Sequence, residues 1–298
     1  MNSTRISVVL LVLGLLATPP ARAEDARPAI KIGGDFQIET KEDIAYYEGK
    51  DADPVKHKLD LYLPRGQKDF PVLFFVHGGS WRSGDRKMYT ALGNVFAKNG
   101  IGTVIISYRL SPAVQHPGHV QDVARAFAWT HANIAKHGGR PDQVFASGHS
   151  AGGHLVALLA TDESYLKAEK CSFADLKAVI PISGVYVIVP NRIFEPAFGK
   201  DETVVKNAAP INHVREHLVP FCMIYAEKDY PTLDAMAEQM CRALQKCKCE
   251  ASAMCMKERD HISIIRQAAS SEADPTTQAM LVFIAKHSGL KLTARETK

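Results

Sequence analysis

The sequence predicts an α/β protein built on one mostly parallel, eight-stranded sheet with helices on both faces. Three observations carry this. Apolar runs of strand length recur from about residue 36 to residue 256. From residue 72 onward, amphipathic segments of helical length separate those runs, the alternation that produces a parallel sheet covered on both sides. Two of the runs end in glycine-rich turns, His77-Gly78-Gly79-Ser80-Trp81 and Gly148-His149-Ser150-Ala151-Gly152.

In order, strands are expected near 36–47, 57–63, 72–76, 102–108, 143–147, 177–183, 220–226 and 249–256. No helical segment separates the first two, so the sheet begins as an antiparallel hairpin. Helices are expected over 86–98, 119–136, 151–161, 233–246 and 275–288. In 119–136, Val123, Phe127 and Ile134, with Ala126 and Trp129 nearby, form an apolar stripe; Asp122, Arg125 and Lys136 are placed on the outward side. Proline and glycine between His116 and His119 mark the start of that helix rather than a metal pair. No repeat, low-complexity tract or linker interrupts the chain, so residues 24–298 read as one domain.

Residues 1–23 have the layout of a secretory signal peptide. Arg5 precedes the apolar stretch 6–17, and Ala21-Arg22-Ala23 supplies a small-residue cleavage site. The apolar stretch is too short for a permanent bilayer anchor, and no cysteine lies near the cut. A soluble secreted or periplasmic product is expected, with no stable membrane anchor. The net charge of +4 falls to +2 when Arg5 and Arg22 leave with the leader, too weak a bias to point to nucleic acid. All six cysteines (171, 222, 241, 247, 249 and 255) lie in the mature part. Export permits disulfides among them, free thiols remain open, and C-x-C without a second pair is poor zinc spacing.

The chemistry centres on Ser150. Glycines on both sides let the chain turn sharply between strand and helix, which forces the serine into a strained, exposed position suited to a nucleophile. Upstream, the Gly-Gly turn can end a strand, or it can bring backbone N–H groups close to a substrate with no side chain in the way. In the second reading Gly79 and Ser80 join Ala151 as oxyanion donors.

An activated serine needs a base, and the base needs an orienting carboxylate. Both are sought in loops past the C-terminal ends of late strands, where open parallel sheets place their sites. Asp229 follows the apolar run 221–226 and His261 follows 253–256. Glu227 is a rival that falls within the strand, and Asp260 adjoins His261 too closely to fold back on it. His57, His137 and His287 are assigned surface roles. His213-Val214-Arg215-Glu216-His217 matches a zinc-protease pattern but sits between Pro210 and Pro220 with no downstream acidic ligand, so no metal site is expected.

Together these blocks resemble the α/β-hydrolase superfamily. The match is nearest to the hormone-sensitive-lipase-like and bacterial feruloyl/carboxyl esterase (BD-FAE) group, which also contains kynurenine formamidases. It runs from about Leu59 to His261 and includes HGGSW (77–81), Tyr108-Arg109-Leu110, the Pro117…Asp122…Trp129 helix, GHSAGGHL (148–155), AEKD (226–229) and DHISII (260–265). HGGS stands where many lipase-like members carry HGGG, which fits the HGG-x-W subgroup. The short segment before the strand at 57–63 leaves little room for a cap domain, so the resemblance implies an open site. Trp81, Tyr186, Phe194 and Phe198 are expected to bind substrate.

The resemblance implies a serine carboxylic ester hydrolase with no metal or organic cofactor. Its expected substrate is a small or polysaccharide-linked ester, with feruloyl and acetyl-xylan esters suited to an exported enzyme. Two alternatives are an arylformamidase, which cleaves an activated amide with the same groups, and a non-catalytic binding protein on the same fold.

Overall fold

The computed structural model describes residues 30–32, 35–290 and 292–294; the leader proposed over 1–23 lies outside them. Eight strands form the central sheet: β2 (Ile38–Ala45), β3 (Lys58–Pro64), β4 (Phe70–Val76), β5 (Gly102–Ile106), β6 (Gly139–His149), β7 (Ala178–Ile182), β8 (Phe221–Lys228) and β9 (Ala251–Asp260). Their spatial order is β2-β3-β5-β4-β6-β7-β8-β9. β2 pairs antiparallel with β3, and β3 with β5; every later pair is parallel. This is the α/β-hydrolase arrangement. A separate two-stranded sheet joins β1 (Ile30–Ile32) to β10 (Leu292–Ala294).

Five longer helices flank the sheet: α1 (Thr90–Lys98), α2 (Gly118–Asn133), α3 (Ala151–Thr161), α7 (Leu233–Lys246) and α9 (Pro275–Ser288). Four short ones fill connections: α4 (Ser164–Ala168), α5 (Glu195–Phe198), α6 (Glu202–Ala208) and α8 (Ser263–Ala268). Side chains of β4 alternate between two cores, as strand geometry requires. Val72, Phe74 and Val76 belong to the core shared with α2, α3 and α7 on one face, while Leu73 and Phe75 belong to the core shared with α1, α8 and α9 on the other. Phe74 and Phe75 are fully buried, each burial stabilising by about 1.5–3 kcal/mol.

Two polar residues assigned to the surface are interior. Asp122 and His57 are both buried, with His57 Nε2 2.9 Å from Asp122 Oδ1. Arg109 donates to the same carboxylate through Nε at 2.9 Å, Nη2 at 2.8 Å and its backbone N–H at 3.0 Å. These partners come from distant segments, so helical periodicity alone could not place Asp122 inward. Although burial raises the Asp122 pKa, the hydrogen bonds from His57 and Arg109 outweigh it and hold the carboxyl below its ordinary range.

Candidate active site

Five neighbouring parallel strands end on one side of the sheet, and the predicted site residues leave from those ends. The loop after β4 carries Gly78–Ser80, β6 runs into Ser150, β8 into Asp229 and β9 into His261. Ser150 sits at φ 55°, ψ −117°, a region costly for a residue with a Cβ (about 1–3 kcal/mol). Its N–H donates to Ile182 O at 2.8 Å, which ties the turn to the end of β7. The flanking glycines are dictated by packing. A Cβ on Gly152 would lie 2.0 Å from Val76 O, and one on Gly148 would lie 2.5 Å from the Gly152 backbone. Helix α3 therefore starts directly against the strands, with its first N–H groups near the serine.

Asp229 and His261 are joined by a 2.6 Å hydrogen bond from Nδ1 to Oδ1, and both side chains are almost wholly buried. Tyr230 N–H adds a second donor to Oδ1 at 2.9 Å; Ser183 Oγ and Ala226 N–H supply Oδ2 at 2.6 and 3.1 Å. Burial alone would raise the Asp229 pKa. The hydrogen bonds from His261, Ser183 and Ala226 overcome it, so the carboxyl lies below its ordinary range and is ionised at neutral pH. With Nδ1–H committed to Asp229, Nε2 carries the lone pair available to a serine proton.

The rivals have other work. Glu227 accepts from Lys257 Nζ at 2.8 Å and Glu258 N–H at 3.0 Å, fastening the irregular stretch where β9 bulges against β8. Asp260 accepts the N–H groups of Ile262 and Ser263 at 2.9 and 2.7 Å and so caps the turn into α8. His213 bonds Asn207 O and His217 is exposed, so the zinc-protease pattern does not converge. Among the described residues no group of three or more His, Cys, Asp or Glu side chains is placed to hold a metal ion, and all six cysteines are free thiols.

Sequence reasoning missed three supporting residues. Ser183, at the end of β7, bonds Asp229; the strand-end logic that found Asp229 applies equally there. His149 donates Nε2–H to His261 O at 2.8 Å, and burial pushes its pKa down to about 3, so the ring is neutral. Tyr230 stacks on the His261 ring at 4.1 Å.

Gly78 N–H donates to Tyr89 Oη at 3.1 Å, whereas among the described residues the N–H groups of Gly79 and Ser80 meet no protein acceptor. Both residues have positive φ, 117° and 52°. A Cβ on Gly79 would lie 2.1 Å from Ser83 O, so glycine is required there.

A cleft of about 760 Å³ opens over Ser150 and His261. Its walls are not those expected. Trp81, Tyr186 and Phe198 are buried, and Phe194 packs beside them. The Trp81 indole N–H donates to His154 Nδ1 at 3.2 Å and its ring meets Phe198 at 4.8 Å, which draws it beneath the loop. Instead Met88, Tyr230, Ile262, Ile265, Arg266 and Ala269 line the cleft.

A BD-FAE family model matches residues 59–243, well over half of the chain. The chain belongs to the BD-FAE family. This BD-FAE member is 31% identical over 192 residues to esterase LipQ of Mycobacterium tuberculosis (59% of this chain, 46% of that one). It is 30% identical over 153 residues to versiconal hemiacetal acetate esterase of Dothistroma septosporum (51% and 46%). The chain thus spans about half the length of these curated relatives. Among solved structures, its fold resembles esterase B from Lactobacillus rhamnosis, with TM-score 0.74 at 20% identity, covering 86% of this chain and 88% of that one. A truncated carbohydrate esterase from gut microbiota gives TM-score 0.73 at 19% identity (87% and 99%). At that identity the likeness concerns fold.

Proposed function

We propose that this chain hydrolyses carboxylic esters through a covalent acyl-enzyme on Ser150. One observation carries the reading: Ser150, strained at its strand end, shares a cleft with His261, whose Nδ1 is held by an ionised Asp229. His261 removes the Ser150 proton as Oγ attacks the acyl carbon, then protonates the leaving alcohol. Asp229 fixes the tautomer and stabilises the imidazolium. The N–H groups of Gly79, Ser80 and Ala151 hold the oxyanion, each such donor being worth roughly 10²–10³ in rate. Water, activated by the same imidazole, then releases the acid.

Export, from the leader layout of residues 1–23, and feruloyl or acetyl-xylan esters as substrates belong to the same proposal. The apolar side chains Met88, Ile262 and Ile265 support an ester with a sizeable carbon skeleton. A rate panel across p-nitrophenyl acyl lengths, feruloyl esters, acetylated xylan and N-formylkynurenine tests it. Esters should lead the ranking. Preference for N-formylkynurenine would turn the assignment to an arylformamidase, and turnover of none would turn it to a binding protein.

A further inference from the structure

Helix α8 starts two residues after His261, so the segment that carries the proposed base also builds a wall of the cleft. Ile262, Ile265, Arg266, Ala269 and Ser270 are spaced by three and four residues, which puts them on one helical face. All five line the cleft. Arg266 N–H donates to Ile262 O at 3.1 Å, which holds that turn in helical form.

The guanidinium on this face is not held by a carboxylate, as Arg86, Arg109, Arg125 and Arg259 are; unlike the other unpaired arginines Arg65, Arg82 and Arg192, it lines the cleft. Arg266 is exposed and makes no ion pair or side-chain hydrogen bond with any described residue. Among the described residues no Asp or Glu lines the cleft, and the neighbouring His149 is neutral. Among the described residues the cleft therefore holds one permanent positive charge, on an otherwise apolar stretch formed by Ile262, Ile265 and Ala269. A guanidinium so placed recognises a carboxylate with two parallel hydrogen bonds.

We propose that Arg266 forms an anion subsite, and that preferred substrates are esters bearing a carboxylate remote from the scissile bond, joined to it by an apolar spacer. This rests on the ester-hydrolase reading. The spacer lies along Ile262, Ile265 and Ala269 while the carboxylate reaches Arg266.

Two isosteric pairs test the subsite by pH-stat near neutral pH in low salt. Monoethyl adipate against ethyl adipamate places the charge in the acyl half; 4-acetoxybutanoate against 4-acetoxybutanamide places it in the alcohol half. The wild type should favour the anionic member of at least one pair by about two- to fivefold in kcat/KM, the scale of a solvent-accessible ion pair, chiefly through KM. The ratio should shrink as salt screens the contact. Arg266→Ala should bring the ratio near one, Arg266→Glu should invert it, and Arg266→Lys should restore part of it. Turnover of the neutral esters with no anionic preference in either pair overturns the subsite alone. So does an Arg266→Ala variant, folded by circular dichroism, that keeps the wild-type ratio. If that variant fails to fold, the salt titration of the wild type and the Lys variant decide. Turnover of none of the four esters overturns the hydrolase reading, and the subsite with it.

Discussion

Asp229 and His261 leave adjacent parallel strands one residue after a paired position. Lys228 and Asp260 are register partners at the end of β8 and β9, so the next residues emerge side by side, with Nδ1 and Oδ1 2.6 Å apart. The pairing depends on the bulge between Ala226 and Lys228, which lets β9 run two residues further than β8. Backbone register thus positions the carboxylate and the imidazole before any side chain is chosen.

Asp229→Asn should lower kcat by roughly 10⁴, because an amide no longer enforces the tautomer that leaves Nε2 free. Ser183→Ala removes one donor from Oδ2 and should lower kcat about tenfold or more, the value of a hydrogen bond to a charged group. Steady-state rates on one p-nitrophenyl ester check both. A Ser183→Ala enzyme with wild-type kcat would remove Ser183 from the positioning of Asp229.

Two glycine substitutions should fail differently. Gly152→Ala drives a methyl into Val76 O at 2.0 Å, backbone against backbone, and should destabilise by about 3 kcal/mol or more. Gly78→Ala meets His149 O at 2.9 Å and Ser150 Cβ at 3.2 Å, so its damage falls on the nucleophile. Denaturant melts read beside kcat should show the first variant losing stability and the second losing mainly turnover.

Stability should fall as pH is lowered through the histidine range. Burial pushes His149 and His154 down to about 3 and His77 to about 4. In the unfolded chain such rings take up protons below about pH 6.5. Between those values the unfolded state binds more protons, so the stabilisation is complete above about 6.5 and is lost progressively as pH falls toward 3–4. His154 shows why the neutral form is needed: Nδ1 accepts from Trp81 and Nε2–H donates to Ala208 O at 2.8 Å, so a second proton would displace Trp81. Asp229 adds a lower window, its contribution being lost only as pH drops below about 3.9, through its depressed value. Calorimetric Tm should decline from pH 7 to 4; a flat profile would contradict the neutral assignments.

Asp122→Asn should cost about 3 kcal/mol, since it leaves the Arg109 guanidinium partly buried without its counter-charge. Urea denaturation measures it, and a change below about 0.5 kcal/mol, the scale of an ordinary surface substitution, would return Asp122 to the surface role its helical position implied.

The inner parallel strands β4 to β8 were legible because buried parallel strands are continuous apolar runs, and the helices 151–161, 233–246 and 275–288 because each spans three or more turns. The β1–β10 pair was not, since three residues carry no periodicity. Helices α4, α5, α6 and α8 span too few turns to show a face. Ser150, Asp229 and His261 were proposed from their positions at strand ends, a property of local order, and the structure places all three at those ends. Ser183 followed the same rule and was overlooked. The cleft wall was misread because aromatic content does not report direction: Trp81 turns inward to a partner 73 residues away, while the exposed Ile262, just before α8, faces the cleft.

Covalent trapping of the nucleophile tests the central claim most directly. The wild-type protein is incubated with a fluorophosphonate, and its intact mass and peptide map are recorded beside those of Ser150→Ala. The account predicts one adduct per chain, located on Ser150, with loss of ester turnover in step with labelling and neither signal in the variant. An unlabelled but folded wild type, or an equal adduct on the Ser150→Ala chain, would contradict it.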